Sequence, residues 1–242
     1  MASQRNNVGK DVAFIGGLLV IAVALIVYLI MDSPDNGAPT AESPSISTQL
    51  TPSTPSDTTL LSVERRAIND PLALGEVDAP VVMVMFADYR CPFCAKFSRD
   101  TEPQLVERFV SNGTLRLEWR DFPIFGDQSM LAARAGRAAA EQGKFWDFNH
   151  AVFAVAPDRG HADLTEDALI GFAEQAGVPD LDKFTAGMRG PTFDAAINAD
   201  LTQATSLGVP STPAFIVNGD PILGAQPTED FERAIEAAAE QS

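Results

Sequence analysis

The sequence predicts an α/β fold: a strand–helix–strand unit, a helical insertion, then a closing strand–strand–helix unit. Three observations carry that reading. "PVVMVMFADY" at 80–89 is a short apolar, valine-rich run that ends just before Pro92, where a helix is expected to begin. "TLRLEWRDFP" at 114–123 alternates apolar with charged residues, the period of a half-buried strand. "TPAFIVNG" at 212–219 follows a long helical pattern and closes in Asn-Gly, a hairpin turn signal.

The chain reaches this domain through three other segments. "VAFIGGLLVIAVALIVYLIM" at 12–31 is twenty residues without a charge. At about 1.5 Å per residue such a helix spans roughly 30 Å, the thickness of a bilayer core. Arg5 and Lys10 precede it, and no Lys or Arg follows until Arg65. The positive-inside rule then makes residues 1–11 a cytoplasmic tail, residues 12–31 a single-pass anchor, and the rest extracytoplasmic. A cleaved signal peptide is the rival reading, although its apolar core usually runs only ~7–15 residues. Residues 32–60 contain five prolines and many Ser and Thr. Such a segment buries too little surface to offset its ordering entropy, and it reads as a disordered linker.

Within 61–242 the elements follow in order. After the first strand, Phe93, Phe97, Leu105 and Phe109 are expected on one helical face, with Pro103 kinking or restarting the helix. "SNGT" at 111–114 is a turn, which accounts for the sequon-like Asn112. In the second strand Leu115, Leu117 and Trp119 point inward, and Arg116, Glu118 and Arg120 outward. Helical pattern then fills about 128–207, the insertion. "TEDALIGFAEQAG" starts with a Thr cap and stops at Gly177. "PTFDAAINADLTQATSLG" begins near Pro191 and ends at Gly208. "DPILGAQ" at 220–226 suggests a short strand. Residues 228–240 form a last helix with Phe231, Ile235 and Ala238 on its apolar face.

Charge narrows the function. The net charge is −16, and residues 61–242 keep 15 of the 17 Lys/Arg and 28 of the 33 Asp/Glu. A surface that acidic repels phosphate backbones, which argues against nucleic-acid binding.

Chemistry concentrates in "FADYRCPFCAKF" at 86–97, which holds Cys91 and Cys94, the two cysteines of the chain. At a strand-to-helix junction Cys91 caps the helix, Pro92 takes its first position, and Cys94 lies one turn in. The free amides and dipole at a helix N-terminus stabilise a thiolate on Cys91. For such motifs the thiol pKa falls to ~3.5–7.5. The spacing closes a disulfide within one turn, and Cys94 is placed to attack Cys91 once a mixed disulfide exists. Zinc would need four ligands, and the remaining candidates are His150 and His161, eleven residues apart. They read as isolated surface or packed histidines, so no metal is expected. Pro213 starts a strand, a position where base rates favour a trans bond.

Taken together, "FADYRCPFC", the helical insertion and "GVPSTPAFIVNG" followed by a final helix resemble the DsbA-like thiol–disulfide oxidoreductases. The resemblance is to the membrane-tethered bacterial kind, which implies a thioredoxin fold. The likeness covers about residues 68–240. It implies that Cys91 is an exposed nucleophile, that Cys94 is its buried partner, and that Thr212–Pro213 is a cis-proline loop. That loop, with Phe93 beside it, would offer backbone groups to an extended substrate segment. Pro92, Arg90 and Asp88 would tune the site. Many relatives carry His where this chain has Phe93, and often Glu where it has Met85. Arg90 is expected to replace part of the missing positive charge. A less acidic Cys91 and a less oxidising disulfide than in the His-containing relatives follow.

The function implied is oxidation of reduced exported proteins by a monomer that needs no cofactor beyond its cysteines. A quinone-linked integral-membrane protein would reoxidise it. The alternatives are an isomerase or reductase of the same fold, or a metal- or peptide-binding module without turnover.

Overall fold

The computed structural model describes residues 63–242. The tail, the predicted span at 12–31 and the linker to residue 60 lie outside the described residues. No helix among the described residues is long and apolar enough to cross a membrane.

The first strands are β1 (Ala73–Leu74) and β2 (Val81–Ala87), followed by α1 (Pro92–Asp100) and α2 (Glu102–Leu105). A π-helical turn at Val106–Val110 leads into β3 (Leu115–Asp121). Five helices follow: α3 (Asp127–Ala140), α4 (Phe145–Ala154), α5 (Glu166–Gln175), α6 (Leu181–Arg189) and α7 (Asp194–Ser206). The chain closes with β4 (Ala214–Val217), β5 (Asp220–Leu223) and α8 (Thr228–Ala239). The strands form one sheet in the order β1-β3-β2-β4-β5. β2 runs parallel to β3, and every other pairing is antiparallel. This is the βαβ…ββα outline read from the sequence.

β2 is buried throughout because both of its faces are covered. Val81, Met83, Met85 and Ala87 enter the main core with Phe97, Trp119, Phe215 and Phe231. Val82, Val84 and Phe86 face a second cluster with Phe122 and Ala204, to which Leu201 of α7 adds. Thus α7, inside the range read as insertion, packs on the sheet itself. The β4–β5 hairpin turns at Asn218 and Gly219, with φ of 45° and 101°. Positive φ at both central positions is the type I′ arrangement that Asn-Gly favours. Asn218 Oδ1 also accepts the Val82 amide at 2.8 Å, pinning the hairpin to β2.

Pro103 restarts the helix as expected. α1 stops at Asp100 and α2 begins at Glu102, because proline cannot donate to the preceding turn. Two expectations are corrected. Phe97, Leu105 and Phe109 are buried, but Phe93 is 58% exposed, since α1 turns its first residues out of the core. And β3 is buried on both faces, Arg116, Glu118 and Arg120 included. The Val63–Arg66 segment and α7 cover the face expected to meet water. Glu118 there accepts the amides of Arg65 and Arg66 at 2.8 and 2.9 Å. It also accepts Arg116 Nε at 2.8 Å and Arg120 Nη2 at 2.9 Å. Burial alone would raise this carboxyl, but Arg116, the Arg65 amide and Arg120 outweigh it and hold its pKa at about 2. The alternating pattern was read correctly as a strand, yet charge did not mean exposure, because every charge finds a partner.

Candidate active site

The end of β2 sets the site. Asp88 Oδ1 accepts the Arg90 amide at 2.8 Å, and the Cys91 amide donates to the Asp88 carbonyl at 3.1 Å. This Asx-type bend turns the chain from strand into helix. Cys91 is the N-cap of α1, with extended backbone (φ −79°, ψ 118°), and Pro92 opens the first turn. The Cys91 sulfur accepts the Cys94 amide at 3.3 Å, which satisfies one of the free donors of the helix start. Across the cleft, the Cys91 thiol lies 3.3 Å from the Thr212 carbonyl and donates to it. The Thr212–Pro213 bond is cis, as the resemblance implied and against the base rate.

Both cysteines are free thiols, and their acidities diverge. The hydrogen bond with the Cys94 thiol lowers Cys91 most, Thr212 and the Cys94 and Phe93 amides add to it, and burial opposes them; the result is a pKa of about 6. Cys94 is pushed well above its ordinary value, first by burial and then by Cys91. The two sulfurs are therefore an acidic and a reluctant thiol one helical turn apart.

Cys91 is only 2% exposed and Cys94 fully buried, which corrects the expectation of an exposed Cys91. The Thr212 loop covers it, so Cys91 forms the floor of a cleft of about 540 Å³ rather than a protruding group. Pro92, Phe93 and Thr212 line that cleft, Pro213 does not, and Phe125, His161 and Gln226 join them. Met85 is buried in the core, paired with Trp119 on one side and Phe215 on the other.

Arg90 is not among the groups that lower Cys91. Its guanidinium donates to the Ala162 carbonyl at 2.9 Å and to the Phe125 carbonyl at 2.5 Å. It ties the cysteine turn to two loops of the insertion instead. Asp88 does the same from below: Oδ2 accepts the amides of Ile124 and Phe125 at 2.7 and 3.2 Å. Burial raises the Asp88 carboxyl, and these amides partly offset that.

His150 and His161 part company. His150 pairs with the buried Glu102 at 2.6 Å, in a separate groove beside α1. His161 reaches the cysteine cleft, its ring 4.2 Å from that of Phe125. Sequence reading missed Phe125, His161 and Gln226 because they sit in loops with no periodicity, 31 to 132 residues from Cys94.

Comparison with known proteins agrees with this geometry. The thioredoxin family model matches residues 68–237. A probable disulfide bond formation protein D from Bacillus cereus is 30% identical over 160 residues, 65% of this chain and 74% of that protein. A Na+/H+ antiporter from Salinispora tropica is 32% identical over 166 residues, 68% of this chain but 24% of that protein. Among solved structures, oxidised BdbD from Bacillus subtilis superposes with a TM-score of 0.67 at 26% identity, covering 72% of this chain and 95% of that one. A thioredoxin-like oxidoreductase from Silicibacter pomeroyi gives 0.61 at 28% identity, covering 73% and 100%. With an acidic and a buried thiol one turn apart beside a cis-proline loop, the chain belongs to the thioredoxin family, as a DsbA-like thiol–disulfide oxidoreductase.

Proposed function

We propose that this protein is an extracytoplasmic dithiol oxidase, held at a membrane by residues 12–31 and acting on exported proteins through a Cys91–Cys94 disulfide. The observation that carries the reading is the divergence of the two thiols. A thiol lowered to about 6 stabilises the reduced, thiolate form of the enzyme, and a stabilised reduced form makes the disulfide oxidising. The relatives named for disulfide bond formation support that direction.

In this reading a substrate thiolate attacks Cys91 Sγ, the Cys91–Cys94 bond breaks, and Cys94 leaves with the electron pair. A second substrate thiolate then attacks the substrate sulfur of the mixed disulfide. Cys91 departs as a thiolate, which its low pKa favours. The Thr212–Pro213 loop and the exposed Phe93 receive the segment around the substrate cysteine. The Thr212 carbonyl points at the reacting sulfur, and Phe93 supplies apolar contact for an unfolded chain. Pro92, Arg90 and Asp88 set the turn that carries Cys91. An integral-membrane, quinone-linked protein reoxidises the dithiol, and no further cofactor is required. The anchor would keep the domain beside that partner.

Two measurements on the full chain test this. Glutathione titration gives the reduction potential: a value near the ~−120 mV of DsbA supports an oxidase, whereas one near the ~−270 mV of thioredoxin counts against it. Cys94→Ala in the native membrane should trap exported proteins as mixed disulfides at Cys91.

A further inference from the structure

The loop before α5 brings an imidazole into the cleft that holds Cys91. His161 is exposed, its ring stacks on Phe125 at 31° between planes, and its Nδ1 lies 3.2 Å from the Arg90 carbonyl. A carbonyl oxygen can only accept, so Nδ1 carries the hydrogen and Nε2 of the neutral ring keeps its lone pair. That carbonyl belongs to the residue just before Cys91, so the ring is anchored one residue from the reacting sulfur. The Arg90 side chain bonds Ala162, next to His161, and Phe125, under its ring. The imidazole is therefore held by its own hydrogen bond, by its stacking partner and by the loop beneath it.

Resting on the oxidoreductase reading, we infer that His161 is a catalytic residue of the exchange: Nε2 takes the proton of the incoming substrate thiol as its sulfur attacks Cys91. An ordinary cysteine has a pKa of about 8.5 and is mostly protonated near neutrality, while only the thiolate attacks. The substrate S–H bond breaks, and the proton goes to Nε2. The substrate S–Cys91 S bond forms, the Cys91–Cys94 bond breaks, and the electron pair passes to Cys94. Cys94 is then protonated and the imidazolium gives up its proton, a net transfer of one proton from substrate to Cys94. Phe93 lacks the nitrogen that a histidine before Cys94 would supply. His161 brings one from the insertion instead.

Three of the charged groups near the ring are engaged elsewhere, and Arg159 is exposed. Asp88 is held by three amides and Arg90 by two carbonyls. Asp163, on the same loop, accepts Gln128 Nε2 at 2.7 Å, and Arg159 lies two residues before the histidine. Cys91 itself is disulfide-bonded when attacked and does not titrate in this step.

The test follows the oxidised full chain reacting with two probes between about pH 5.5 and 8, below the ~8.5 of an ordinary thiol. Glutathione is an alkyl thiol, protonated over most of this range; thionitrobenzoate is already a thiolate throughout it. His161→Gln and His161→Phe should each slow glutathione about five- to tenfold, below the ~10²–10⁴ usual for a general base because solvent competes in an open cleft. Both should leave thionitrobenzoate within about twofold of wild type. His161→Phe keeps a ring for Phe125 to stack on, which separates loss of the base from loss of cleft shape. Equal slowing of both probes, or of neither, overturns the assignment. A wild-type chain that oxidises neither probe overturns the redox reading beneath it.

Discussion

The cleft over Cys91 has two kinds of wall. One is local to the thioredoxin fold: the β2–α1 turn with Cys91, Pro92 and Phe93, and the Thr212–Pro213 loop that starts β4. The other belongs to the insertion, as Phe125 before α3 and His161 before α5. The first acts on the sulfur itself, since Cys94, Thr212 and two helix-start amides lower Cys91 to about 6. The second leaves that acidity alone and shapes what meets the sulfur. Asp88 and Arg90 join them, through two amides and two carbonyls, and His161 Nδ1 adds a bond to the Arg90 carbonyl. Thiol acidity and the cover over Cys91 are thus built within the thioredoxin fold, while the insertion adds the Phe125 and His161 side of the cleft.

The largest effect should come from the first wall. Cys91→Ser should reduce exchange to the uncatalysed background, because a hydroxyl is neither ionised near neutrality nor able to form the mixed disulfide. A thiol-oxidation assay on the full chain checks it, and Phe125→Ala in the same assay should lose no more than the about five- to tenfold expected of the His161 variants.

The acidity of that wall also predicts a pH dependence that separates the reduced from the oxidised protein. The folded pKa of Cys91 is depressed, from 9.0 to about 6. A depressed acid stabilises the fold above its unfolded pKa and loses that contribution as pH falls through the folded value. Only the reduced form has this titration. The urea midpoint of reduced minus oxidised protein should therefore rise from about pH 6 to about pH 8.5. Carboxylates and histidines titrate in both forms and largely cancel. A difference that stays flat over this window would mean Cys91 is not acidic in the folded protein.

How legible each wall was follows from range. The turn at Cys91 depends on residues 88 to 94, and its capping geometry was readable from Cys-Pro-x-Cys after a valine-rich strand. The strand–helix–strand and strand–strand–helix units were nearly as plain, because period-two alternation and Asn218-Gly219 mark strands locally, whereas the two-residue β1 was not read. Arg116, Glu118 and Arg120 misled, since their partners are Val63, Arg65, Ala67 and Gln203, too distant in sequence to anticipate. His161 was invisible for the same reason: its neighbours Arg90 and Phe125 lie 71 and 36 residues away. The exposure expected of Cys91 failed because Thr212, 121 residues on, covers it.

The link between the walls can be cut. Asp88→Asn keeps the shape but offers one acceptor oxygen where three amides donate. Leaving buried amides unpaired should cost about 1–3 kcal/mol. Urea denaturation measures that cost, and hydrogen exchange should show the Ile124 and Phe125 amides losing protection first. If the walls are as separate as the geometry indicates, thiolate absorbance will find Cys91 still acidic in this variant.

The smallest effect sharpens the first wall by adding to it. Phe93 contributes its amide to the lowering of Cys91, but its exposed ring carries no charge. Phe93→His would place an imidazolium on the first turn of α1, where it favours the thiolate. The Cys91 pKa should fall below about 6, by about tenfold in the ionisation equilibrium. The same gain makes the disulfide about 30 mV more oxidising, because tenfold in a two-electron couple is 29.6 mV. Thiolate absorbance against pH and a glutathione titration read the two numbers independently. If both move together, acidity sets the potential, and the native Phe93 makes this a milder oxidant than a histidine would. If Phe93→His leaves the pKa unmoved, the capping bonds from Cys94 and Thr212 already saturate the thiolate, and residue 93 serves substrate contact alone.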